Sequence, residues 1–122
     1  MPLFNVVLLQ SDPGVAQSLV ASMVPQFRSV RAVRCLDDLR AHVAKVRAQV
    51  VVLDMEIASI EDLQGLSHEF PGVAIVCTHR LADEEMWAMA LNAGAADICP
   101  VDPKAIVSAA LRTAQIAASA VA

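Results

Sequence analysis

Apolar positions along this chain come in two alternating styles, short solid runs and longer stretches of helical period. Phe4-Asn5-Val6-Val7-Leu8-Leu9, Val50-Val51-Val52-Leu53 and Val73-Ala74-Ile75-Val76-Cys77 have the length and branching of strands buried on both faces, the last ending at Thr78. Val30 to Cys35 is a second, shorter strand whose Arg31 and Arg34 suit an exposed edge, and Ala96 to Cys99 is a short fifth. Between the runs, apolar residues recur every three or four positions: Val15, Ala16, Leu19, Val20 and Met23, then Leu36, Leu39, Val43 and Val46, then Ile60, Leu63, Leu66 and Phe70. A fourth helix is predicted from about Asp83 to Ala93 and an Ala-rich fifth after Asp102.

The helix ends carry their own signals. Asp12-Pro13 and Asp102-Pro103 each place a capping carboxylate before a proline at the first helical position. Ser59-x-x-Asp62 reads as a capping box, Pro25 and Pro71-Gly72 end the first and third helices, and Gly94 suits the end of the fourth. Asp37 and Asp38 open the second helix while Lys45 and Arg47 close it, in the order that the helix dipole favours.

Five strands alternating with five helices through short loops predict right-handed βαβ crossovers. The fold class is therefore α/β, a (βα)5 doubly wound five-stranded parallel sheet in strand order 2-1-3-4-5 with helices on both faces. A single domain spans residues 1–122. The fifth helix runs through Ala114 to Ala122 without a stop signal, so the chain also reads as the N-terminal part of a longer protein. In this topology the crevice lies at the carboxyl ends of strands 1 and 3. Gln10, Ser11 and Asp12 then approach Asp54, with Thr78 beside it on strand 4. Asp54 ends a run of four apolar residues, and a charge there is costly unless it serves the rim.

Composition narrows the function. A net charge of −4, a pI near 5.2 and the absence of a basic cluster with interleaved aromatics exclude a nucleic-acid surface. Three cysteines, Cys35, Cys77 and Cys99, fall in strands or at strand ends without a C-x-x-C pair. They read as buried free thiols and suit a reducing cytoplasm. Met1 to Leu9 lacks the basic start of a signal peptide, and Lys104, Arg112 and Gln115 interrupt the Ala-rich stretch too often for a membrane span.

Over essentially its whole length the chain resembles the receiver domain of bacterial two-component response regulators. The residues that carry this are Val50 to Asp54 as the phosphoacceptor strand, Val73 to Thr78 as the strand ending in a switch hydroxyl, and Ala93-Gly94-Ala95-Ala96-Asp97 before strand 5. The resemblance implies a phosphoacceptor at Asp54 and a switch formed by Thr78 and the position of Ile98. It also implies an acidic Mg²⁺-binding pair and a lysine, which here fall on Gln10, Ser11 and Val101. Phosphoryl transfer works through charge neutralisation by metal and cation. Asp54 is the main carboxylate left for Mg²⁺, with Asp12 as a second candidate one residue along.

The expected reading is a degenerate receiver, not an enzyme, that signals through protein contacts with an output domain, a histidine kinase or a second copy of itself. One alternative is a phosphorylatable receiver that uses Asp54 with unusual metal ligands, the only case that needs Mg²⁺. The other is an aspartate-nucleophile phosphatase of the haloacid dehalogenase type, which Asp54-Met55-Glu56-Ile57 loosely resembles. Met86-Trp87-Ala88-Met89-Ala90-Leu91 is apolar nearly all round, unlike a helix with one face on a sheet. Trp87 and Met86 are therefore candidate interface residues, and the resemblance implies dimerisation or docking through helix 4, strand 5 and helix 5. Glu56 and Arg80 are expected to pair across the crevice, His79 and Lys104 to be solvated, and His42 and His68 to lie away from it.

Overall fold

The computed structural model describes residues 3–80 and 83–121, the last three by backbone alone. The elements are β1 (Asn5–Leu9), α1 (Pro13–Met23), β2 (Ser29–Val33), α2 (Leu36–Val46), β3 (Val50–Asp54), α3 (Ile60–Glu69), β4 (Ala74–Thr78), α4 (Glu84–Asn92), β5 (Asp97–Cys99) and α5 (Pro103–Val121). All strand pairs are parallel, and the sheet order is β2-β1-β3-β4-β5. This is the predicted topology.

The period of two along the central strands divides the core into two layers. Val7, Leu9, Val51, Leu53, Ile75 and Cys77 face one side, where Leu39 and Val43 of α2, Leu63 and Leu66 of α3, and Ala90 of α4 cover them. Val6, Leu8, Val50, Val52 and Val76 face the other, under Leu19 and Met23 of α1 and Ile106 and Ala110 of α5. Each such side chain contributes about 1.5–3 kcal/mol by leaving water. That is why the sheet's centre is continuous aliphatic residue and its charges are confined to the ends.

The helix starts follow their signals. Asp12 caps α1 by accepting from the amides of Gly14 and Val15 at 2.8 and 3.4 Å, with Pro13 at the first position. Ser59 and Asp62 form the reciprocal capping box of α3. Asp83 caps α4 through the Met86 amide at 2.8 Å. At α5 the Asp102 carbonyl accepts the first helical bond, from Ile106 at 3.0 Å, but no bond from its expected capping carboxylate is seen among the described residues. Gly94 follows α4 at φ +115°, where a Cβ would overlap the Ser67 side chain on α3, so no other residue fits that turn without moving a helix.

Several boundaries differ from expectation. β2 stops at Val33, and Cys35 is exposed at the N-cap of α2 instead of buried, because the chain leaves the edge of the sheet there. Arg47 is not in the last turn of α2 but ends it in the left-handed conformation at φ 52°. β1 starts at Asn5, whose side chain donates to the Val46 carbonyl at 2.9 Å, and Phe4 precedes it. Ala122, the last residue of the expected fifth helix, lies outside the described residues.

Candidate functional site

Asp54 closes β3 beside Thr78 of β4, its direct register partner, and one step beyond the Leu9–Leu53 pairing of β1. The three strand ends thus bring together Gln10, Ser11, Asp54 and Thr78, as the sequence predicts. Asp54 is only 2% exposed and Thr78 is fully buried.

A buried carboxylate needs donors. Asp54 has three. Its Oδ2 accepts from the Ser11 amide at 2.8 Å and from the Ser11 hydroxyl at 2.7 Å, and its Oδ1 accepts from the Glu56 amide at 2.8 Å. Bonds to a charged acceptor are the stronger class, about 1.5–3 kcal/mol each. No ion pair reaches Asp54 among the described residues. Its charge is held by neutral donors instead. Ser11 is itself exposed, so the carboxylate lies one side chain beneath the surface.

Gln10 points along the rim and donates from Nε2 to the Thr78 hydroxyl oxygen at 3.1 Å. This bond passes over the end of β3 and ties β1 to β4. The Thr78 carbonyl accepts from the Met55 amide at 2.9 Å, and the His79 amide donates to the Cys99 carbonyl at 3.2 Å. Glu56 and Arg80 form the expected ion pair at 3.4 Å, with Arg80 61% and Glu56 30% exposed, so the pair contributes little to stability. The loops after β1, β3 and β4 are therefore joined.

Magnesium takes near-octahedral oxygen ligands and is commonly bound through one or two carboxylates plus waters. The rim does not offer that set. Asp54 is the carboxylate at its centre, both its oxygens accept protein donors, and the Glu56 carboxylate beside it is paired with Arg80. The Asp12 carboxylate turns away to cap α1, and Gln10 and Ser11 are neutral and engaged. Among the described residues no three His, Cys, Asp or Glu side chains are grouped to hold a metal ion. Val101, where a cation is missing, is half-buried and lines an apolar cavity of about 320 Å³ with Val15, Pro103 and Ile106 between α1 and α5.

The other candidate residues lie on α4. Trp87, Met89 and Leu91 are 49%, 45% and 45% exposed. Met86, expected at the same interface, instead packs half-buried against the core with buried Ala90 and Ala93, because it falls one turn before them. Ile98 is buried in that same layer. His68 and Lys104 are exposed, and His79 is half-buried, where solvation was expected. His42 is half-buried on α2, and its Nδ1 is buried without a hydrogen-bond partner, a feature that the sequence did not signal.

No known protein family and no curated protein matches the sequence. Solved structures do match. A CheY-like response regulator receiver domain protein from Methanospirillum hungatei superposes with a TM-score of 0.83 at 16% identity, over 96% of this chain and 98% of that one. The fold is the receiver fold. The receiver domain of a two-component response regulator from Bacteroides fragilis matches at TM-score 0.82 and 17% identity, covering 90% of this chain and 95% of the other. A putative pilus assembly-related protein from Burkholderia pseudomallei matches at 0.76 and 18%, over 92% and 90%. Receiver topology thus occurs in proteins described in quite different terms. The side chains at this rim must carry the functional argument.

Proposed function

We propose that this receiver fold is a signal-transduction module that acts through protein contacts and without phosphoryl transfer at Asp54. The observation that carries this reading is that the Asp54 carboxylate already accepts three hydrogen bonds from its own chain, two from Ser11 and one from the Glu56 amide. An attacking carboxylate needs a free oxygen, a metal and a cation to offset the charge that develops on the transferred group. At this rim both oxygens already take donors from the chain, the donor set does not suit Mg²⁺, and Val101 supplies no charge. The second acid and the cation of this rim, Glu56 and Arg80, are paired with each other, which argues against a phosphatase.

The working surface is then the α4 face. Trp and Met are enriched in interface cores, and on α4 the exposed Trp87 and Leu91 lie one turn apart on one flank of the helix, with Met89 on the other. A protein partner, whether an output domain, a kinase or a second copy, would cover them. The free thiols and the lack, among the described residues, of any helix able to cross a membrane suit a cytoplasmic setting.

Beryllofluoride with Mg²⁺, a mimic of the phosphorylated carboxylate, tests this reading. In an NMR titration the amides of residues 10–12, 54–56 and 78–79 are expected to stay in place. A saturable shift that Asp54→Asn abolishes would overturn the reading in favour of a phosphorylatable receiver with unusual ligands.

A further inference from the structure

The Gln10–Thr78 bond links the first strand to the one that leads into α4. Both groups are buried, they lie 68 residues apart in sequence, and the bond skips the intervening strand. A hydrogen bond between two buried neutral groups fixes geometry most strongly where neither can turn to water. Thr78 is the last residue of β4, and only residues 79–82 separate it from the Asp83 cap of α4. Cys77, immediately before it, packs in one layer with Ile98, Ala90 and Ala93, and Met86 rests on that layer. A displacement of the Thr78 end is thus passed to α4 through packed side chains.

We infer that Gln10 is a positioning residue, an internal ligand for Thr78 that holds the α4 face in one arrangement. Ser11 does the same for the neighbouring strand end by occupying Asp54. The rim has its polar groups matched from within, so no outside ligand is needed to set it. In this state α4 presents Trp87 without a triggering event. The inference deepens the proposed function by assigning the regulation of its surface. It rests on the reading that α4 is that surface.

Trp87 is the only tryptophan, so its indole N–H gives a single resonance in a ¹⁵N-labelled domain. The expected result is that Gln10→Ala and Thr78→Val each shift that resonance by more than its linewidth, in the same direction. Thr78→Ser, which keeps the accepting oxygen, should leave it at the wild-type position, and the Gln10→Ala/Thr78→Val double variant should move it no further than either single change. Gln10→Met keeps the length and apolar contacts of the side chain and stands in if Gln10→Ala fails to fold.

A merely structural role would lower the melting temperature and leave the indole resonance unmoved. That outcome in folded Gln10→Met and Thr78→Val would overturn the inference, as would shifts in unrelated directions. The measurement uses neither a partner nor a phosphoryl mimic. Its failure is therefore separate from failure of the functional proposal, which the beryllofluoride titration decides on its own.

Discussion

The rim around Asp54 and the outer face of α4 stand in opposite relation to their surroundings. At the rim, a buried charge and a buried hydroxyl are answered by side chains and amides of the same chain. On α4, three large apolar side chains, Trp87, Met89 and Leu91, leave nearly half of their surface to solvent among the described residues. The rim of a doubly wound sheet usually waits for a ligand, and a surface helix is usually polar outward. Both expectations are reversed here. Self-sufficiency at the first place and exposed apolar surface at the second are what the proposed role in recognition of a partner rests on.

The comparison can be broken most sharply at Asp54. Asp54→Ala removes the acceptor for the Ser11 hydroxyl and for the amides of Ser11 and Glu56 in a buried position. A loss of about 2–4 kcal/mol in urea-denaturation stability is expected. A loss below about 0.5 kcal/mol would show that the carboxylate does not organise the rim, and the contrast with α4 would go with it.

The sheet that supports both regions gives a second test. Burial, and then the neighbouring Cys99 thiol, push Cys77 up from 9.0 to about 12. Burial and Asp97 push Cys99 up to about 11, with Arg112 opposing. Below pH 9 both thiols keep their protons whether the chain is folded or not, so they add no pH dependence. Above it the unfolded chain loses protons that the folded one keeps, and stability falls as pH rises towards these values. The slope is at most about 1.4 kcal/mol per pH unit for each thiol. Thermal melts between pH 8 and 10.5 should show the decline, and Cys77→Ala should reduce it. An unchanged decline in that variant would place its origin outside Cys77.

A smaller effect is expected from Gln10→Ala, which leaves the Thr78 oxygen without its donor and should lower stability by about 1 kcal/mol. Smallest is Trp87→Ala, expected to cost less than about 1 kcal/mol in the same denaturation assay because half of the indole already faces solvent. If it instead destabilises by 2 kcal/mol or more, the indole is part of the domain's own core and the α4 face is not a free surface.

The strand order and all five helices were legible because the apolar periods, the Asp-Pro starts and the Ser59–Asp62 capping box act locally and agree with one another. The rim residues were legible too, since topology alone brings Gln10, Ser11, Asp54 and Thr78 together. Their pairing was not. Sequence spacing cannot tell that Gln10 reaches past Asp54 to Thr78 while Ser11 turns back to Asp54. Those choices depend on side-chain directions set by the register of three strands. Cys35 was placed in the wrong environment for a related reason: β2 ends two residues early at the sheet's edge, where no neighbouring strand holds the chain in line. Met86 was assigned to the outer face because a helix apolar all round gives no clue to its own rotation.

Gly94 bears on how the α4 face could be retuned. Its φ of +115° and the Ser67 side chain against its Cα leave no room for even a methyl group. A side chain there would act as a wedge driven between α3 and α4, tilting the whole apolar face from its far end without touching a residue of the face or of the rim. The helix is pinned at its start by hydrogen bonds and seated at its end by a missing atom. A substitution at position 94 would therefore act on the seating of α4 against α3 by steric means alone.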